Sequence, residues 1–578
     1  MIRRFIGRFL AVVGFFSLLT LAALGGLVWW GMGQFERRTA VEVADRVVIV
    51  ADWRGGIAEK ARGFSGLPGL PFDRQVALPD VLLALDRAAK DPRVAGLVVR
   101  TDGEGMGLAK AQELHQAVRR FAAAGKTTAV FADSLGELQG GMVGTYLAAA
   151  FDHVQLQPLG TVGLTGLSAE QPYLGRLLDD WAVQRQVVQR EDYKTALESF
   201  TRSTPSPEQQ ATLARLLDGV FDELVRGIAT GRDLAPSTVR AAVDRGPLLG
   251  REALELGLID AIGHEPELWQ TVQARVGTTE RMPLQRYARA EPPEAVVPAA
   301  TLGFVHAVGP IRRGSDDRFG SQAEIAGDSL AAAIDAAREA HVDALLLRIS
   351  SPGGSAVASE TVAGALRRLR IAGIPVVVSM GDVAASGGYW IAMDANRVVA
   401  SPLTLTGSIG VVAGKPALRT ALERLGVDVF VERRGANAGF GSVVDPWDER
   451  ALARLDDLLD DVYTSFVDGV AQGRGMAPER VRAVAGGQVW TGTEAAANGL
   501  VDQLGGFLDA LEAAKIAAGV AADDAVVLQR FPAPRPPFLD ALEGLDFLGV
   551  TLGDVAAWFG EVQRGAEIRL EAAPPRLR

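Results

Sequence analysis

The chain has 578 residues, 48% of them apolar and 22% charged, a length and balance that fit two or three globular domains. A net charge of −11, with no basic run beyond the first forty residues, argues against a nucleic-acid partner. The absence of cysteine excludes disulfides and thiolate nucleophiles, and the five histidines (His115, His153, His264, His306 and His341) fall in no metal-binding spacing, so neither a metal nor a cofactor is expected.

The first predicted element is a membrane span. Phe9 to Gly33 is an uncharged run long enough to cross a bilayer, for which about 20 apolar residues suffice. Arg3, Arg4 and Arg8 precede it, and Trp29 and Trp30 fall where an interfacial aromatic belt would. The run is longer than the apolar core of a cleavable leader and leaves through bulky side chains, so residues 1–40 read as an uncleaved anchor. Its leading arginines hold the N-terminus in the cytoplasm and send the bulk of the chain across; Arg37 and Arg38 oppose this bias without reversing it.

Beyond the anchor the chain is written twice. GRDLAPSTVRAAVDRGPLLGREALELGLIDAIG (231–263) matches GRGMAPERVRAVAGGQVWTGTEAAANGLVDQLG (473–505) at Gly231/Gly473, Pro236/Pro478, Glu252/Glu494, Asp260/Asp502 and Gly263/Gly505, among others. The expected organisation is a first repeat at 41–270, a linker at 271–300 that includes the Pro/Ala-rich stretch 289–300, a second repeat at 301–528 and a tail at 529–578. In the first repeat, 96–100 and 127–131 read as strands. In the second, 344–349, 375–379 and 397–400 read as strands and 359–370 as a helix. Strand–helix–strand alternation predicts a mostly parallel α/β layer structure in each repeat.

The chemistry collects in the second repeat. Strand 344–349 runs into Ser350-Ser351-Pro352-Gly353-Gly354, and strand 375–379 leads to Gly381-Asp382-Val383-Ala384-Ala385-Ser386-Gly387-Gly388. A glycine pair after a strand can turn bare backbone N–H groups into a pocket, and a serine at a helix start exposes its hydroxyl. Together these supply a nucleophile and an oxyanion hole for acyl transfer. Aligning Gly140-Gly141 with Gly387-Gly388 sets Gln139 opposite Ser386, and pairing Arg100 with Arg348 sets Gly103-Glu104-Gly105-Met106 opposite Ser351-Pro352-Gly353-Gly354. A purely structural role would require these residues in both copies, so their restriction to one copy favours chemistry.

These segments, with Leu405-Thr406-Gly407-Ser408-Ile409-Gly410, resemble the signal peptide peptidase A (protease IV) family of serine peptidases in its long tandem form, over roughly residues 40–520. The resemblance implies tandem α/β repeats of the crotonase/Clp-protease type behind one transmembrane helix, and a Ser/Lys dyad whose lysine comes from the first repeat. Of the seven lysines, Lys194 lies in Tyr193-Lys194-Thr195-Ala196, similar to the family's Tyr-Lys-Ser-Ala segment. Lysine can serve as a base once burial lowers its pKa, whereas arginine, which occupies the corresponding region at 433–434, cannot. Ser386 is then the nucleophile and Lys194 the base. Gly353 and Gly387 are the oxyanion donors, with Gly354 as the alternative to Gly353, and Ser408 either orients the lysine or is a turn serine.

The resemblance further implies a single-pass protein of the inner (cytoplasmic) membrane with its catalytic part on the periplasmic side. The implied substrates are cleaved signal peptides and other small hydrophobic peptides, and the implied assembly is a homotetramer. Two rival readings are a crotonase-type acyl-CoA enzyme and a catalytically inactive membrane scaffold of the same fold.

Overall fold

The computed structural model describes residues 41–60, 76–137, 140–290, 297–315 and 324–532. The expected anchor, nearly all of the expected tail, and Gln139 lie outside the described residues. Among the described residues no helix is long and apolar enough to cross a membrane.

The two repeats share one order of six parallel strands; the second repeat's sheet has eight strands in all, because Leu405–Gly407 also pairs with Val376–Ala385 and Val489–Thr491 pairs antiparallel with Leu405–Gly407. In the first repeat the order is Ala261–Ile262, His153–Leu156, Thr127–Ala132, Val94–Arg100, Val47–Asp52 and Arg281–Pro283. In the second it is Gln503–Leu504, Arg397–Ala400, Val376–Ala385, Ala344–Ser351, Ala300–Val308 and Val526–Phe531. Register agrees as well as order: Arg100 pairs with Phe131 and Arg348 with Ser379, so the two arginines occupy equivalent places.

The strands read as apolar runs because parallel sheets are covered on both faces. Along Ala344–Ser351, Leu345, Leu347 and Ile349 face helices Gly327–Glu339 and Ala356–Ile371, while Ala344 and Leu346 face the opposite way. That opposite face shares one core with the first repeat: Leu114, Ala117, Val118 and Phe121 of helix Leu108–Ala123 pack in it beside Phe507, Ala510 and Ala514 of helix Phe507–Ala517. The two repeats therefore stack in layers and share a hydrophobic interior.

Residues 271–290, placed in the expected linker, belong to the first repeat. Helix Glu265–Val276 covers the outer face of the first sheet through Leu268, Trp269, Val272 and Val276, and Arg281–Pro283 adds the sheet's last strand. Proline at 283 sits on that edge strand, where a missing N–H is tolerated. The second-repeat helix expected at 359–370 runs from Ala356 to Ile371, capped by Ser355 Oγ accepting from Ala358 N. The strand expected at 375–379 continues to Ala385, directly before Ser386.

A further joint links the repeats outside the core. Strand Gln184–Arg190 of the first pairs antiparallel with Val411–Ala417 of the second, from Val411 opposite Arg190 to Ala417 opposite Gln184. Helix Glu449–Arg474 lies over this ribbon, packing Ala451, Leu455 and Leu459 with Trp447 against Val188, Val411 and Ala413.

Because the repeats share a core, Leu346→Ala should destabilise both together. The expected loss is about 2–5 kcal/mol, as for other large-to-small changes at fully buried positions. Calorimetry should show one transition moving to lower temperature; a shift confined to one of two separate transitions would contradict a shared core.

Candidate active site

Strand Val376–Ala385 ends at Ser386, which caps helix Gly387–Ala392 with φ 53° and ψ −118°. A non-glycine residue in such a conformation carries strain of about 1–3 kcal/mol and persists only where its surroundings hold it. Here the Ser386 N–H donates to the Gly407 carbonyl (2.9 Å) and its carbonyl accepts from Trp390 N (2.9 Å). With both backbone groups engaged, the side chain projects from a sharp strand-to-helix turn.

Lys194 reaches this hydroxyl from the first repeat. Its Nζ lies 3.1 Å from Ser386 Oγ, 2.8 Å from Ser408 Oγ and 2.7 Å from the Ser408 carbonyl. The side chain is buried and has no carboxylate partner among the described residues, so burial alone pushes its pKa down, to about 8. Ser408 holds φ 51°, fixed by its N–H donating to the Gln488 carbonyl (2.7 Å).

The lysine is placed by the antiparallel ribbon four residues upstream. Arg190, the last residue of the first-repeat strand, pairs with Asp456 (2.9 Å) and Asp460 on helix Glu449–Arg474. Tyr193 N donates to the Gly486 carbonyl (3.0 Å). Two glycines then make room: a Cβ on Gly487 would lie 2.5 Å from Lys194 N, and one on Gly410 3.3 Å from Lys194 Cδ. Sequence reasoning missed Arg190 and Gly487. Gly486-Gly487 was visible as a glycine pair, but its role arises from a loop about 290 residues downstream in the chain folding over Lys194.

The glycine loop lies against the turn. A Cβ on Gly353 (φ 103°) would meet Gly387 N at 2.7 Å and Ser386 Cβ at 2.8 Å. The Gly353 N–H is committed to Ser351 Oγ (3.1 Å), and its carbonyl accepts from Ile311 N (2.8 Å). The N–H groups of Gly354 and Gly387 donate to no acceptor among the described residues. The arrangement thus offers a hydroxyl, a buried amine and two free amide donors at one point.

In the first repeat, the equivalent turn places Gly141 at the helix cap, its N–H donating to the Gly163 carbonyl (2.5 Å) as Ser386 donates to Gly407. The counterpart of Ser386 is therefore Gly141, two positions from the Gln139 expected by aligning glycine pairs, because the turn differs in length between the copies. The position carries no hydroxyl under this register.

The chain matches the family model described as "Peptidase family S49" over residues 134–278 and 368–521. It is 31% identical to "Protease 4" of Salmonella typhi over 87% of this chain and 83% of that protein. It is also 29% identical to "Serine protease SPPA, chloroplastic" of Arabidopsis thaliana, over 86% of this chain and 73% of that one. Among solved structures, "ClpP1 from Listeria monocytogenes" aligns at 15% identity with a TM-score of 0.22, covering 35% of this chain and 91% of that one.

The Gly487 contact yields a test of how Lys194 is held. Gly487→Ala adds a Cβ against the Lys194 backbone at φ 90° and should displace the amine from Ser386. A loss of about 100-fold in activity is expected, the usual cost of displacing a reacting group by about 1 Å. Unchanged turnover in a folded variant would show that this glycine does not set the lysine's place.

Proposed function

Because this chain belongs to peptidase family S49 and is a serine peptidase, we propose that Ser386 is its nucleophile and Lys194 its general base. The observation that carries the reading is the 3.1 Å approach of a buried, unpaired amine to a strained serine. Neutral Lys194 takes the Ser386 proton as Oγ attacks the scissile carbonyl. The oxyanion accepts from the N–H groups of Gly354 and Gly387, with Gly353 shaping the loop, since its own N–H is engaged by Ser351. The protonated lysine then passes its proton to the leaving amine, and water, deprotonated by the same group, releases the acyl-enzyme. Ser408 orients the lysine through its hydroxyl and carbonyl.

This reading answers both rivals. An inactive scaffold would have no use for a lysine buried without a counter-ion, which costs stability. A crotonase-type acyl-CoA enzyme would not require the serine–lysine contact. The wider proposal follows the sequence resemblance: two repeats of crotonase/Clp type, anchored in the inner membrane by residues 1–40, with the active site on the periplasmic side. There the enzyme would degrade cleaved signal peptides and other small hydrophobic peptides.

The pH behaviour tests the base. Below about pH 8 Lys194 is protonated and cannot accept, so hydrolysis should rise with pH through about 8 and then level. Ser386→Ala, Lys194→Met and Lys194→Arg should each lose on the order of 10⁴-fold or more in kcat. Lys194→Met should also raise the melting temperature at neutral pH. The folded chain holds this proton less tightly than the unfolded one, a cost present at neutral pH that fades as pH rises from about 8 through 10.5. Appreciable turnover by Lys194→Arg would remove this residue from the base role.

The intrachain ribbon suggests how copies would join in the proposed homotetramer. By the repeat register, residues 428–434 correspond to Gln184–Arg190, and 167–173 to Val411–Ala417. Neither segment is paired, and 428–434 carries Phe430 at 86% exposed beside exposed Val431. Head-to-tail pairing of 428–434 with 167–173 of a second copy would repeat the internal ribbon and cover this edge. Phe430→Asp should then reduce the sedimentation mass to that of a monomer; an unaltered assembly would place the contact elsewhere.

A further inference from the structure

One buried charge cluster lies outside the chemistry described so far. Arg348 is fully buried on strand Ala344–Ser351, whose end forms the glycine loop. Its Nη1 donates to Ser379 Oγ (2.8 Å) and the Met380 carbonyl (3.2 Å) on the strand that ends at Ser386. Two carboxylates of the first repeat hold it from the other side. Nε donates to Glu59 Oε1 (2.6 Å), and Nη2 lies 2.8 Å from Glu113 Oε1 as an ion pair without hydrogen-bond alignment. Glu113 also accepts from Phe507 N (3.1 Å).

The cluster's place in the sheet makes it informative. The ladder is regular through Arg348/Ser379 and Ile349/Met380, then jumps to Ser351/Ala384, leaving Gly381, Asp382 and Val383 bulged opposite Ser350. Such a bulge locally disrupts the ladder, so its hydrogen bonds hold the offset between the strands less firmly there. Both halves of the active site lie beyond it: the glycine loop on one strand and Ser386 on the other. Arg348 bridges the two strands across the last two regular pairs, and Gly381 admits it, since a Cβ there would lie 3.3 Å from Nη2.

The first repeat provides the contrast. Arg100 has the same register but is 33% exposed and pairs with Asp133 and Glu265 of its own repeat. The arginine is buried and clamped from outside only in the copy that carries the nucleophile.

We propose that Arg348, gripped by Glu59 and Glu113 of the first repeat, is a positioning residue that sets the offset between the oxyanion glycines and Ser386; this rests on the nucleophile reading above. Docking of the first repeat thereby contributes twice to the site, supplying the base and fixing the geometry it acts on. The groups facing the cluster give it a pH signature. Burial, and then Glu59 nearby, push Glu113 up to about 7 against the pull of Arg348. Burial also raises Glu59, but Arg348 outweighs it and holds Glu59 ionised. His306, on the adjacent strand, is pushed down to about 3 by burial and stays neutral. Lys110, paired with Asp382 (3.4 Å), faces the cluster too, with Lys60 and Arg530 at longer range. Protonation of Glu113 near neutral pH loosens the grip on Arg348.

The test compares wild type, Arg348→Lys and Glu113→Gln by kcat and KM on a peptide substrate and by the rate of Ser386 labelling with a fluorophosphonate, from about pH 6 to 9. Arg348→Lys keeps the charge but loses the fork, and should lower kcat and the labelling rate about 100-fold with KM within about twofold. In wild type, kcat should fall below pH 8 with Lys194 and more steeply below about 7 as Glu113 takes up a proton. Glu113→Gln, nearly isosteric, should follow the Lys194 ionisation alone. An unchanged pH profile in Glu113→Gln, or wild-type turnover by a folded Arg348→Lys, overturns the clamp; if Arg348→Lys does not fold, the Glu113→Gln profile decides. Wild type that is never labelled at Ser386 overturns the nucleophile reading, and the clamp with it.

Discussion

On the proposed mechanism the structure turns on one electrostatic requirement: an amine must sit uncharged against a serine hydroxyl. Lysine in water holds its proton far too tightly for this, and a carboxylate neighbour would tighten the hold further. Lys194 is therefore surrounded by backbone, two hydroxyls and glycines, and burial alone lowers its pKa. Enclosing it takes material from both repeats. The lysine comes from the first, while the Ser408 turn and the Gly486-Gly487 loop close over it from the second and helix Glu449–Arg474 holds Arg190 just upstream.

The same dependence explains why the two copies have diverged. Both keep the six-strand order, the long helix ending near the paired Arg232–Asp260 and Arg474–Asp502 contacts, and the strand-to-helix turn. These features hold each layer together and are needed twice. On the proposed mechanism the hydroxyl at the turn is needed once, and so is the lysine beyond the ribbon strand. Duplicated packing with single chemistry is the pattern expected when a site forms between copies rather than within either one.

Much of the fold was legible because parallel, doubly covered strands leave an unmistakable apolar run, as in Ala344-Leu345-Leu346-Leu347. The linker was misplaced because helix Glu265–Val276 and strand Arg281–Pro283 are short, and the edge strand carries proline. Neither has a local pattern strong enough to mark it as core; what makes them core is the sheet face they cover. The alignment of the two turns slipped by two positions for a related reason. Glycine pairs were matched by identity, whereas the backbone matches them by which N–H meets the Gly163 or Gly407 carbonyl.

The sequence by itself determined the α/β class and the duplication and singled out Ser386, Lys194 and the glycine loop as candidates, because residue type and local order carry that information: a buried lysine, unlike arginine, can give up its proton, and glycine tolerates the loop's dihedrals. Tertiary structure decided which glycine amides stay free, with Gly353 engaged by Ser351 and Gly354 left open. It also decided that Arg348 is a buried clamp while its repeat partner Arg100 is a surface ion pair. Hydrogen-bond partners and burial depend on what packs across an interface hundreds of residues away, and two arginines in the same local sequence pattern can meet opposite surroundings there.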